Sequence, residues 1–260
     1  MNTETFLFDK IVFGPIKSRR LGLSLGINLL PLDSKLCNYN CIYCECGWTG
    51  IKGKSAQAFN SRKDVKNDLE EALIELKSKN ITPDAITFAG NGEPTMHPHF
   101  SEIIDDTIEL RNKHFPGTKI VVLTNATMLN RKPVLEALKK ADLRILKLDA
   151  GTEELYQKIN QPHSKKGLSY AVEQLQHFDG DLTVQSMFLK GMSDGVFIDN
   201  TTDENVNAWL ELIKKIKPKQ VMLYSINRAT AGQGLEAISN EKLKEIELKV
   251  KELGIETMVS

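Results

Sequence analysis

The chain has 260 residues and is 41% hydrophobic, enough for a sizeable core in one large domain or two small ones. Its 34 basic and 34 acidic residues cancel to zero net charge, which argues against a chain that is basic throughout, as nucleic-acid-coating proteins are. No apolar run is long enough to span a bilayer, and the opening MNTETFLFDKIVFG holds acidic residues and no small-residue cleavage site, so neither a membrane partner nor a signal peptide is expected, and the expected location is cytoplasmic.

The elements follow in chain order. LSLGINLL (Leu23 to Leu30) reads as a first strand. An irregular stretch from Pro31 to Asn60 comes next, and a loop that long in a compact domain is usually functional. Val65, Leu69, Leu73 and Leu76 then recur at helical steps, with Ser61 placed as the N-cap. DAITFA (Asp84 to Ala89), KIVVLT (Lys119 to Thr124), LRILKLDA (Leu143 to Ala150), LTVQSMFL (Leu182 to Leu189) and QVMLYSI (Gln220 to Ile226) read as five further buried strands. Helical patterns separate them at about 100–113, 131–141, 167–178 and 203–216. A last helix starts at a Ser-Asn cap and stops at Gly254. Six strand–helix alternations predict parallel strands with covering helices. Six units are too few for a closed eight-stranded barrel, which leaves an open twisted sheet or a partial barrel. The expected layout is a single domain over 1–260, with an N-terminal extension at about 1–22 and a C-terminal helix at about 240–254.

Chemistry in such folds sits at the carboxyl ends of the strands. The first strand leads into CNYNCIYCECG, which holds all four cysteines of the chain, Cys37, Cys41, Cys44 and Cys46. In a reducing compartment clustered cysteines are metal ligands or redox groups more often than disulfides. A zinc site with Cys46 as fourth ligand is one reading of them. The second strand leads into GNGEPTMHPHF and the third into Thr124 and Asn125, which could equally cap the next helix. The fourth carries Lys147 and Asp149, two apart and so on one face, where a buried ion pair between them is one reading. The fifth carries Gln185. Lys10 to Lys66 holds ten basic and three acidic residues, a net +7 around the cysteine loop that suits an anionic partner or an acidic protein face.

Cys37, Cys41 and Cys44 have the CxxxCxxC spacing of radical S-adenosylmethionine (SAM) enzymes. Tyr43 before the last cysteine, and GNGEP with Asn91 in place of the first glycine of a Gly-Gly-Glu motif, strengthen the resemblance. FGPIKSRRLGLSLGINLLP, GNGEPTMHP and LDAGTEELYQKINQP look like the bacterial and archaeal group related to wyosine synthetases, although this chain lacks the cysteines of a second cluster. The resemblance implies a partial (β/α)6 TIM-like barrel and a [4Fe–4S] cluster on Cys37, Cys41 and Cys44, with one iron left open for SAM. It places Tyr43, Gly92, Glu93, Asn125, Lys147, Asp149 and Gln185 around SAM. Cys46 and His97 stand as candidates for a catalytic role beside bland readings as an incidental thiol and a turn residue. Arg19 and Arg20 stand as candidates for an anion contact. The function implied is reductive cleavage of SAM to methionine and a 5′-deoxyadenosyl radical that takes hydrogen from a substrate, with tRNA modification as the family-level expectation. Such oxidoreductase chemistry needs an external electron donor such as flavodoxin or ferredoxin. The alternatives are an activase that acts on a partner protein's glycine and a non-enzymatic iron–sulfur or zinc module.

Overall fold

The structure, a computed structural model, describes residues 5–50 and 59–260. The chain divides into two compact units.

One unit comprises Leu7–Cys37 and Thr49–Arg144. The expected first strand is β2 (Gly22–Ile27). It is preceded by β1 (Val12–Ser18), which pairs with it antiparallel. The expected extension at 1–22 therefore contains a strand, missed because its residues are only half-buried or exposed and show no apolar run. β3 (Ala85–Phe88) pairs parallel to β2, and β4 (Lys119–Thr124) pairs parallel to β3. β3 is buried at every position, which is why it reads as a continuous apolar run. α1 (Arg62–Ser78) buries Val65, Leu69, Leu73 and Leu76, and the Ser61 hydroxyl accepts the Asp64 N–H as its cap. α2 (Phe100–His114) and α3 (Lys132–Lys140) complete this unit, and Phe100 meets Phe88 edge-on at 6.1 Å.

The other unit comprises the described part of Met1–Phe6, Asn38–Trp48 and Ile145–Ser260. Here β5 (Leu143–Lys147), β6 (Thr183–Ser193), β8 (Gln220–Ser225) and β10 (Glu256–Val259) run parallel in that order. Its helices are α4 (Glu153–Asn160), α5 (Leu168–Gln176), α6 (Asp203–Ile216) and α7 (Asn240–Lys251). Trp209 of α6 is fully buried. It packs 5.4 Å from Phe188 and donates its indole N–H to the Leu148 carbonyl. Gly151 lies so close to α6 that a Cβ would overlap the Trp209 nitrogen and the Asn205 carbonyl. The last helix ends at Lys251, with Gly254 at φ +73 in the turn beyond it, and a strand follows. β6 is 11 residues long. Its second half leaves the parallel pairing and is flanked by β7 (Val196–Asp199) and β9 (Leu235–Ala237), both antiparallel. Among the described residues no helix is long and apolar enough to cross a membrane.

Candidate functional site

The cysteine loop is anchored by backbone hydrogen bonds in each unit. In the first, Leu36 forms a bridge to Gly92: the Leu36 N–H donates to the Asn91 carbonyl at 2.8 Å, and the Glu93 N–H donates to the Leu36 carbonyl at 3.1 Å. GNGEP thus holds the residue directly before Cys37. Asn91, where the family pattern has glycine, uses its side chain as a clip. Its Oδ1 accepts the Phe8 N–H, and its Nδ2 donates to the Phe8 and Pro31 carbonyls. In the other unit Asn40 and Ile42 donate to the carbonyls of Gln161 and Ile159, and His163 donates to that of Asn38. Ala231 and Gly232 donate to the carbonyls of Cys44 and Ile42. The loop therefore rests on INQPH at the end of α4 and on ATAG after β8, neither of which the sequence marked as a cysteine support.

Glu93 is buried, and its carboxylate is turned into the protein. Oε1 accepts the Thr95 N–H at 3.1 Å, the Thr95 hydroxyl at 2.5 Å and the Thr124 hydroxyl at 2.6 Å, while Oε2 accepts the Asn125 N–H at 2.7 Å. Burial pushes its pKa up against the pull of these donors. Thr124 and Asn125 cap no helix, since the N-cap of α3 is Arg131. They tie β4 to the GNGEP turn instead. The Asn125 Oδ1 accepts the Thr127 N–H and hydroxyl, and its Nδ2 donates to Cys37 Sγ at 3.7 Å.

Lys147 and Asp149 meet as a buried ion pair, Nζ to Oδ2 at 2.6 Å. The same carboxylate accepts the Tyr43 hydroxyl at 2.6 Å, the Asn160 Nδ2 at 2.8 Å and the Met187 N–H at 2.9 Å. Asp149, expected as a direct SAM contact, is thus fully occupied by protein donors in this structure and fixes Tyr43 and Lys147. The Lys147 ammonium also lies 4.3 Å from the Tyr43 ring centroid. Burial alone would lower its pKa, but Asp149 and then Cys41 outweigh burial and hold it above the ordinary lysine value. Gln185 donates to the Tyr224 hydroxyl at 2.7 Å. Asn160, not anticipated as a site residue, also donates to Cys41 Sγ at 3.7 Å.

His97 is buried, with both ring nitrogens engaged. Nδ1 accepts the His99 N–H at 3.1 Å, which leaves Nε2 to donate to the Asn60 carbonyl at 2.8 Å. That pairing defines a neutral clamp rather than an exposed acid or base. Burial lowers its pKa, so the unfolded chain binds the extra proton more readily and stability is lost as pH falls from about 7 through the unfolded value of about 6.5. The melting temperature is expected to drop between pH 7 and 5, and His97→Asn is expected to flatten part of that drop.

The +7 segment is less continuous as a surface than its charge count implies. Arg62 and Lys66 are paired to Asp106, and Lys66 also to Glu109, acidic residues from outside the segment. Lys35 is buried. Lys52 and Lys54 lie outside the described residues. Lys17 and Arg19 are exposed and Arg20 is half-buried.

The thiols fit an iron–sulfur group. Cys41 is buried and the sulfurs of Cys37 and Cys41 each receive an amide N–H, the kind of donor that stabilises a ligating thiolate. A cubane spreads its thiolates over separate irons, so its three ligands need not meet at one point.

The radical SAM superfamily model matches residues 33–200, a span that holds the cysteine loop, GNGEP and the Lys147–Asp149 pair. A UPF0026 protein of Synechocystis is 35% identical over 230 residues, 86% of this chain and 77% of that protein. A Brachyspira hyodysenteriae protein named GTPase Obg is 32% identical over 246 residues, 93% of this chain but only 34% of that protein's length. Among solved structures, a radical SAM methyltransferase from Sphaerobacter thermophilus superposes with a TM-score of 0.66 at 14% identity, covering 91% of this chain and 65% of that one. Streptococcus suis SuiB bound to S-adenosylmethionine gives 0.61 at 15% identity, covering 87% and 48%. Archaeal TYW1 gives 0.56 at 11% identity, covering 88% and 71%. These likenesses carry the fold, that of the radical SAM core, consistent with the expected partial TIM-like barrel. The chain belongs to the radical SAM superfamily of enzymes and, within it, to the UPF0026 group. The cofactors of that superfamily are a [4Fe–4S] cluster and SAM.

Proposed function

We propose that this chain cleaves SAM reductively, with Cys37, Cys41 and Cys44 as the cluster ligands and Cys46 outside the ligand set. The observation that carries the reading is the CxxxCxxC loop, pinned by GNGEP before its first cysteine and by INQPH along the rest, with an amide donor on each of its first two sulfurs. When bound, the cluster and SAM supply an electron and a 5′-deoxyadenosyl radical that abstracts hydrogen from the substrate. The protein's own part is to orient the reacting groups and to exclude water. Lys147, held charged by Asp149, and Tyr43 present a cation and an aromatic face near Cys41. Gln185 with Tyr224 in the same unit, and Asn125, Gly92 and Glu93 in the other unit, are the further residues proposed to contact SAM. A reduced flavodoxin or ferredoxin serves as donor in this reading, which places the reaction in the cytoplasm.

Anaerobic reconstitution tests it. About four irons per chain are expected for a single cubane, together with slow release of 5′-deoxyadenosine on reduction. Cys37→Ala, Cys41→Ala and Cys44→Ala should each abolish both, and Cys46→Ala should leave iron content unchanged. Eight irons, or loss of iron in the Cys46 variant, would overturn the assignment.

The substrate proposed is a tRNA nucleoside, supported by the likeness of FGPIKSRRLGLSLGINLLP to the wyosine-related group and by the exposed Lys17 and Arg19. A polypeptide substrate is the second reading, and one observation favours it. Met192 and Phe197 face each other across β6 and β7 and are 46% and 61% exposed, with Val196 beside them at the turn. An exposed apolar cluster of this kind marks a protein-contact surface. Binding to total tRNA against binding to soluble protein at matched ionic strength separates the two. A tRNA affinity no tighter than the nonspecific range of about 10⁻⁴–10⁻⁶ M would favour the polypeptide.

A further inference from the structure

The two asparagines whose amides support the cluster assignment carry a consequence beyond ligation. Asn125 is 8% exposed and Asn160 1% exposed. Each places its amide nitrogen 3.7 Å from a cysteine sulfur, Asn125 at Cys37 and Asn160 at Cys41.

An amide can be turned end for end, so its orientation has to be argued from its partners. For Asn125 the oxygen is fixed by two donors, the Thr127 N–H at 3.1 Å and the Thr127 hydroxyl at 2.7 Å. Only the NH2 group is left to face sulfur. For Asn160 the nitrogen is fixed by the Asp149 Oδ2 at 2.8 Å, the oxygen that also pairs with Lys147 and accepts from the amide. The same NH2 group has a second hydrogen, and that one points at Cys41. Both are donors aimed at sulfur: the Asn160–Cys41 contact is buried, where a hydrogen bond acts with little screening, and the Asn125–Cys37 contact is part-buried.

We infer that Asn125 and Asn160 set the reduction potential of the cluster by donating hydrogen bonds to two of its three thiolates. The inference rests on the cluster assignment proposed above. One electron from the external donor adds one negative charge to the cluster–thiolate group, and no bond breaks and no proton has to move. Hydrogen bonds to ligating sulfur stabilise that added charge and raise the potential. The two amides are therefore positioning residues that make the cluster easier to reduce. Asn160 adds a link, because the carboxylate that orients it is the one that holds Lys147 and Tyr43.

The test is a redox titration of the reconstituted full chain, followed by electron paramagnetic resonance in the absence of substrate, with iron and sulfide measured on every sample. Asn125→Ala and Asn160→Ala should keep about four irons per chain. At a fixed poise each should show a fall of about tenfold in the ratio of reduced to oxidised cluster, equivalent to about 59 mV for one electron. Asn125→Ser and Asn160→Ser retain a hydroxyl donor, and their potentials should lie between those of the alanine variants and the unsubstituted chain. Full iron content with an unchanged potential in the alanine variants would overturn the inference and leave the cluster assignment standing. Iron loss in all four variants would also overturn it, because the amides would then hold the loop rather than the potential. Failure of the unsubstituted chain to take up iron would instead overturn the cluster assignment itself.

Discussion

Asp149→Ala is expected to destabilise the cofactor-free protein by about 3–5 kcal/mol, the usual cost of removing one partner from a buried ion pair. The Asp149 side chain is fully buried, and Lys147 is nearly so. Without the carboxylate the Lys147 ammonium loses its ion-pair partner and is left 4.3 Å from the Tyr43 ring centroid. The Tyr43 hydroxyl, Asn160 Nδ2 and Met187 N–H lose the same acceptor. Each orphaned donor would cost about 1–3 kcal/mol alone, but these terms overlap and do not add. Lys147→Met should cost less, because the carboxylate retains three donors and the methionine stem fills the lysine's space. Denaturant unfolding of the apoprotein reads the difference directly. An unchanged unfolding midpoint in Asp149→Ala would mean that the carboxylate serves only a bound ligand.

This asymmetry shows what the sequence could and could not reveal. Lys147 and Asp149 stand two apart on a strand, so their shared face is legible from spacing alone. Tyr43 lies 106 positions from Asp149, and Asn160 lies 119 from Cys41. No local pattern connects them, and so the saturation of the carboxylate was not visible. The buried strands were legible because both faces are covered and their sequences are continuously apolar. β1, β7, β9 and β10 were not, since they are short or half-exposed and carry mixed composition. Charge misled for a similar reason. Summing along the chain counted Arg62 and Lys66 as available, but Asp106 and Glu109, some 40 residues on, take them up.

Gly92→Val is expected to abolish iron uptake as well as SAM binding. The sequence alone suggests a simpler outcome, in which glycine leaves room for the backbone to approach SAM and valine excludes the ligand. The geometry puts a second obstacle in the way. A Cβ on Gly92 would overlap the Leu36 carbonyl oxygen and carbon and would lie 3.1 Å from Leu30 Cδ1. Gly92 also has φ +140, a conformation that β-branched residues scarcely adopt. Backbone strain of about 1–3 kcal/mol and overpacking of a similar size, about 1–3 kcal/mol, fall on one bridge. That bridge is the one that seats the residue before Cys37. The low-cost response of the chain is to release Leu36, and Cys37 moves with it. Iron content after reconstitution should therefore fall well below that of the unsubstituted chain, and the apoprotein should unfold at lower denaturant concentration. Gly92→Ala carries the same Cβ and should fail in the same way, with less overpacking. A variant that keeps full iron content and apoprotein stability and loses only SAM affinity would show that Gly92 is required by the ligand and not by the Leu36 bridge.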